Sequence, residues 1–222
     1  MTDPEPTAEP NAEDIAEKFQ PDPEFLERLR TDGEAVLAES FAANRERFWH
    51  LVTFRMDRRI AARVDADDVL QEAFVAASSR LKHYLNEPTF SLFVWLRLIV
   101  SQTLIDVHRR HFGTGKRSAG REVSLGRQRY PQTTSVSLAA QLVANQTSPS
   151  AAIQRDEASD ALAAAIEQMS PLDQETIALR HFEGLTNTEA AEVLGISVTA
   201  ASNRYVRALA RLKEILEDLN LS

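Results

Sequence analysis

Gly184 to Arg204 read GLTNTEAAEVLGISVTAASNR, and the fold is decided there. Thr186 and Glu189 form a T-x-x-E capping box: the hydroxyl accepts from the backbone N–H of Glu189, whose carboxylate reaches back to the cap. The helix after this cap buries Ala190, Val193 and Leu194. Gly195 ends it, because glycine tolerates the left-handed backbone of a helix terminus. Ser197 caps the next helix. In that helix Ala201, Tyr205, Ala208, Leu212 and Ile215/Leu216 fall on one apolar stripe, and Ser202, Asn203, Arg204, Arg207 and Arg211 lie off it.

A short helix, a glycine turn and a second helix with basic and amide residues on its free face make a helix-turn-helix. Arg and Asn on such a helix hydrogen-bond base edges or phosphates in the major groove. The small residues Thr199, Ala200 and Ser202 keep the entering end slim. A helical hairpin with a solvated Arg-rich face is the plainer alternative. Upstream, Ser170 and Pro171 are a cap and a proline at the first helical position, preceded by an amphipathic helix over Leu162–Met169.

Outward from this motif, glycine and proline divide the chain. Five of the nine prolines lie before residue 24, among acids and alanines, and predict a disordered acidic tail over 1–23. From 24 to 112 apolar residues recur at helical spacing, with Gly33 and Pro88 the interruptions before His111. The stretch 113–154 carries Gly113, Gly115, Gly120, Gly126, Pro131 and Pro149 among Ser, Thr and Gln, and reads as a flexible linker. The helical pattern returns over 155–222. No convincing strand alternation occurs. The expected class is all-α: two helical domains joined by a flexible linker, the C-terminal one the helix-turn-helix.

Cysteine is absent from the 222 residues, which excludes disulfides, thiol nucleophiles and Cys-ligated metal and fits a cytoplasmic protein. No apolar stretch is long enough to span a bilayer, and the acidic start is not a secretory signal. The net charge of −8 is unevenly spread: residues 1–40 hold twelve acids against three bases, whereas residues 101–130 hold seven bases against Asp106 and Glu122. Local fields govern steering, so the body remains open to DNA.

In the first domain DADDVLQEAF (Asp65–Phe74) puts Val69 or Leu70, Ala73, Phe74, Ala77 and Leu81 on a buried stripe and Asp68, Gln71, Glu72 and Ser79 on a polar strip. The strip is either a docking face for a partner helix or a solvated face. A metal set of Asp65, Asp67, Asp68 and Glu72 lacks a histidine, and acids at a helix start answer to the dipole. Next, FSLFVWLRLIVSQTLIDVHRRH (Phe90–His111) has a strong helical stripe with Phe90, Phe93 and Trp95 as core anchors. His83 and Tyr84 stand before Pro88 in an expected loop, where aromatics can stack on unpaired bases. Arg97, His108, Arg109, Arg110 and His111, followed by Lys116, Arg117 and Arg121, suggest a phosphate track. Basic residues at a helix end also favour the dipole, and Asp106, His108 and His111 are weak grounds for a metal.

In their order and spacing, DADDVLQEAF, WLRLIVSQTLIDVHRR and LTNTEAAEVLGISVTAASNRYVRALARL resemble the sigma factors of bacterial RNA polymerase, most of all the two-domain extracytoplasmic-function group. The resemblance covers about residues 24–112 and 155–217. RRHFGTGKRSAGREVSL (Arg109–Leu125) also resembles sigma factors of planctomycete-like bacteria. The resemblance implies that the first domain clamps core RNA polymerase through Asp68, Gln71 and Glu72. It implies that Tyr84 to Phe90 and Arg97, His108, Arg109 and Arg110 open and read the −10 element. The linker would thread toward the RNA exit path. Thr199, Ser202, Asn203, Arg204 and Arg207 would read the −35 element. Core RNA polymerase and promoter DNA are the partners so implied, and an anti-sigma factor is a further candidate. Two departures concern Ser202, where a basic residue is frequent, and the Ser101–Gln102 pair, where an Asn is common. No cofactor, catalytic residue, metal, membrane or small-molecule substrate is called for. The acidic tail is either a shield for basic surfaces or a solubilising segment.

The alternative function is a stand-alone helix-turn-helix regulator acting without core polymerase, although no ligand pocket or phosphoacceptor pattern is legible. An enzyme finds no support in a Gly-rich phosphate loop or G-x-S-x-G. A purely protein-binding adaptor does not explain the basic second helix.

Overall fold

The computed structural model describes residues 22–112 and 161–220, all helical or in short connections, with no strand among the described residues. The acidic tail, the linker and the basic run Lys116–Arg121 lie outside them.

Local signals start the helices. Asp22 accepts from Glu24 N–H at 3.0 Å and Pro23 opens α1 (Pro23–Thr31). Helices α2 (Gly33–Ala43) and α3 (Arg45–Arg55) come next, and Asp57 caps the single turn α4 (Arg58–Ala61). Asp65 caps α5 (Ala66–Asn86), and α6 runs over Leu92–Phe112. Helices α5 and α6 pair, and α3 lies against both. Leu29, Leu37, Phe48, Leu51, Val69, Ala73, Leu96 and Val100 share one core. Each large aliphatic side chain so buried contributes about 1.5–3 kcal/mol.

In the C-terminal unit α7 is described over 161–167, and α8 covers Pro171–Ile177 with Ser170 as cap. A five-residue π turn, Ala178–Phe182, continues α8. Then come α9 (Asn187–Leu194) and α10 (Val198–Asn220). Both halves of the Thr186–Glu189 capping box are formed, at 3.2 and 2.7 Å. Gly195 takes φ 64°, ψ 35°, the left-handed stop expected of it. Ala201, Ala208, Leu212, Ile215 and Leu216 are buried along α10, as the stripe predicts.

One expectation is corrected. His83 and Tyr84 do not lie in a loop, because α5 continues to Asn86. Tyr84 is 3 % exposed, its ring centroid is 4.6 Å from that of Trp95, and its hydroxyl donates to the Phe90 carbonyl at 2.9 Å. Burying a large ring with its one polar atom satisfied outweighs the local breaker at Pro88.

The two units pack together. Phe54, from α3, belongs to the apolar cluster of the C-terminal unit and stacks on Phe182 with centroids 4.8 Å apart. Phe93, from α6, packs on Leu179, Leu185 and Ala190.

Candidate nucleic-acid interface

Ser197 fixes the start of α10: its hydroxyl accepts from Ala200 N–H at 3.1 Å. From that start Thr199, Ala200, Asn203 and Arg207 point to solvent, and Ser202 is half-buried beside them. Arg204 is also half-buried and reaches Asp173 of α8 at 3.5 Å, so its own unit holds it in place. The ring of Tyr205 lies under the Arg180 guanidinium at 5.2 Å; burial raises the phenol's pKa and Arg180 opposes that. Val206, 63 % exposed, shares the free face with Asn203 and Arg207. Sequence reading missed Val206, whose signal was an apolar residue off the stripe. Together these residues offer an amide, a cation and an apolar contact of the kind a thymine methyl accepts.

Asp68, Gln71 and Glu72 lie exposed on α5, and Val75 extends the same face at 68 % exposure. Glu72 pairs with Arg110 of α6, and Asp67 with Arg45 at 2.7 Å. Among the described residues no group of three His, Cys, Asp or Glu is placed to hold a metal ion.

The expected phosphate track divides. Arg109 and Arg110 are exposed, with Arg109 3.7 Å from Asp106. His108 is turned inward, and its Nε2 accepts from Asp57 N–H at 3.4 Å. Burial lowers its pKa, Asp57 opposes, and His111 lowers it further. Asp57 itself is held down at about 2, first by its hydrogen bond with the Arg59 side chain. Arg97 corrects the expectation: it is 4 % exposed, away from solvent. Its guanidinium pairs with Glu183 at 2.7 Å and lies 3.8 Å from Glu175.

That pairing belongs to a cluster between the units. Arg55 binds Glu175 at 2.8 Å and also pairs with Glu183. Burial pushes the Glu183 carboxyl up, but Arg97 and Arg55 outweigh it and the net shift is down. Arg55 is pushed down by burial and further up by the two glutamates. At the edge Arg47 grips Glu189 at 2.6 and 3.0 Å and lies 3.8 Å over the Phe93 ring. Burial raises Glu189, and Arg47 reverses that to a net lowering. Glu192 accepts from both the N–H (2.5 Å) and the hydroxyl (2.8 Å) of Ser91, at the start of α6. Burial leaves its pKa raised despite those bonds. None of these partners was legible as such, because the pairs span 86 to 142 residues of chain.

The C-terminal unit is thus a capped helix-turn-helix with an exposed second helix, and residues 159–212 match the family described as Sigma-70, region 4. Over 198 residues the chain is 25 % identical to the RNA polymerase sigma factor CnrH of Cupriavidus metallidurans, covering 84 % of this chain and 95 % of that protein. Among solved structures, CnrH in complex with the cytosolic domain of CnrY covers 87 % of this chain and 96 % of its own, with 21 % identity and a TM-score of 0.48. The sigma factor RpoE with the anti-sigma factor NepR from Bartonella quintana covers 84 % and 97 %, with 17 % identity and a TM-score of 0.39.

Proposed function

We propose that this chain is a sigma factor of the extracytoplasmic-function type, which binds core RNA polymerase and directs promoter-specific initiation of transcription. The observation that carries this is the region 4 match over 159–212, with Thr199, Asn203 and Arg207 of α10 turned to solvent, as a groove-reading helix requires. Residues 24–112 act as the polymerase-clamping and −10-reading domain, 113–154 as the linker, and 155–222 as the −35-reading domain. Asp68, Gln71 and Glu72 are the polymerase contacts, and the exposed Val75 adds apolar area at their centre. Arg109 and Arg110 meet promoter phosphates, and Thr199, Ser202, Asn203 and Arg207 meet the −35 element. Arg204 orients α10 through Asp173 and meets phosphate from there. Tyr84 supports the −10-reading segment from beneath through its bond to Phe90. The protein works in the cytoplasm without enzymatic activity of its own, and an anti-sigma factor is a candidate partner. The narrower tie to planctomycete-like bacteria is carried by the sequence Arg109–Leu125 alone.

The test is multi-round transcription with purified core polymerase on a library of promoter fragments, with the protein added or omitted. Start-site-specific RNA only in its presence is expected. Tight, specific DNA binding by the protein alone, with no RNA, would replace this reading by the stand-alone regulator.

A further inference from the structure

The face that the C-terminal unit turns toward the N-terminal unit carries the carboxylates Glu175, Glu183, Glu189 and Glu192. Opposite them stand Arg47, Arg55, Arg97 and the Ser91 N–H that opens α6. Guanidinium groups and the N–H end of a helix are the donors with which proteins hold phosphate. Here carboxylates occupy them. Arg97 and the start of α6 lie in the segment assigned above to promoter DNA, so closure hides part of that segment. Asn203 and Arg207 of α10 stay exposed in the same closed form.

We propose that this packing is an autoinhibitory contact: the acidic face of the C-terminal unit substitutes for promoter phosphates on Arg97 and the α6 N-terminus, and both units engage a promoter only after they separate. The contact is well suited to reversal. Taking ionised groups out of water offsets most of what their pairing gains, so a buried ion cluster contributes little net free energy while fixing one geometry. Phe54 on Phe182 supplies the apolar part. The free protein reaches DNA with α10 alone. Separation exposes further cations, and each new phosphate contact steepens the salt dependence of binding.

The DNA part of this inference rests on the sigma-factor reading, and the experiment has two arms that fail separately. In the first, spin labels on Lys82→Cys and Lys213→Cys, both exposed positions in a chain without cysteine, report the distance between units in the full-length free protein. One narrow short distance is expected, which Arg47→Ala with Glu192→Ala broadens and lengthens by about a helix diameter, ~10 Å. A broad distribution in the unaltered interface overturns the contact. So does a narrow one that the double variant leaves unmoved while circular dichroism reports an intact fold.

In the second arm Ser91→Cys and Glu192→Cys are joined by a short bis-methanethiosulfonate, which reductant removes. The joined protein is expected to lose promoter-specific transcription at least about tenfold, a factor equivalent to 1.4 kcal/mol, and to regain it on reduction. Equal transcription before and after reduction overturns autoinhibition. If the reduced protein drives no transcription at all, the sigma-factor reading and the DNA part fall together, and the spin-label distance still decides whether the contact exists.

Discussion

Replacing Gly195 isolates the backbone cost of the turn between α9 and α10. Its φ of 64° is left-handed, and a Cβ built there meets nothing within 4 Å. Steric collision with neighbours therefore contributes nothing, and the whole effect is conformational. An L-residue in this region costs about 1–2 kcal/mol relative to the right-handed form. Alanine also restricts the unfolded chain, which returns about 0.4–1 kcal/mol. Gly195→Ala should then lose about 1 kcal/mol. Asparagine tolerates the left-handed region, so Gly195→Asn should lose less. The assay is urea unfolding of the full chain followed by circular dichroism. With a slope of about 1–3 kcal/mol per molar, alanine moves the midpoint down by roughly 0.3–1 M. Gly184→Ala is a matched control, with φ 68° and the same open surroundings. A loss above about 3 kcal/mol, or asparagine costing more than alanine, would refute the reasoning, because it would mean that contacts rather than dihedral angles hold the turn.

Thr186→Ala removes one half of the capping box and should cost about 1 kcal/mol in the same unfolding assay, with Thr186→Ser close to wild type. Arg207→Ala should weaken promoter binding almost uniformly across sequences and lower the slope of log affinity against log salt by about one, read by titration over a salt series; a change confined to one base position would instead make Arg207 a base reader. The interface should open in acid. Glu183 and Glu189 sit below the usual 4.5 in the packed form, so packing is favoured above that value and is lost as pH falls through the lowered values. Glu192, raised by burial, acts the other way, its share of the packing falling as pH rises through its raised value. With two carboxylates against one, the distance between the units, tracked by spin labels from pH 7 to pH 3, should lengthen below about pH 4.5; a distance constant to pH 3 would contradict this.

The caps, the glycine stop and the α10 stripe were legible because each is a relation between residues one or two helical turns apart. Thr186 finds Glu189 three residues on whatever the rest of the chain does. Tyr84 was misread for the same reason. Locally, Pro88 and a polar run suggest a loop, whereas the side chain answers to Trp95, on another helix. Arg97 illustrates the limit more sharply. Beside Arg109 and Arg110 it reads as one more cation for phosphate, and only the fold brings Glu183 to it from 86 residues away. A charge pattern records which groups need partners and leaves open whether the partner is solvent, nucleic acid or the chain itself.

The π turn at Ala178–Phe182 gives that interface an unusual dependence on chain length. Glu183 N–H bonds to the Ala178 carbonyl, five residues back, at 2.9 Å. The wider turn accommodates one residue more than regular α-helix would. Deleting a single residue between Pro171 and Phe182 would let the helix run regularly and rotate the chain downstream of it by about 100°. Glu183 would then be carried off the line of Arg55 and Arg97 with every charged residue still present. A related chain could keep all of these arginines and glutamates and still be unable to close, for want of one residue in the spacing.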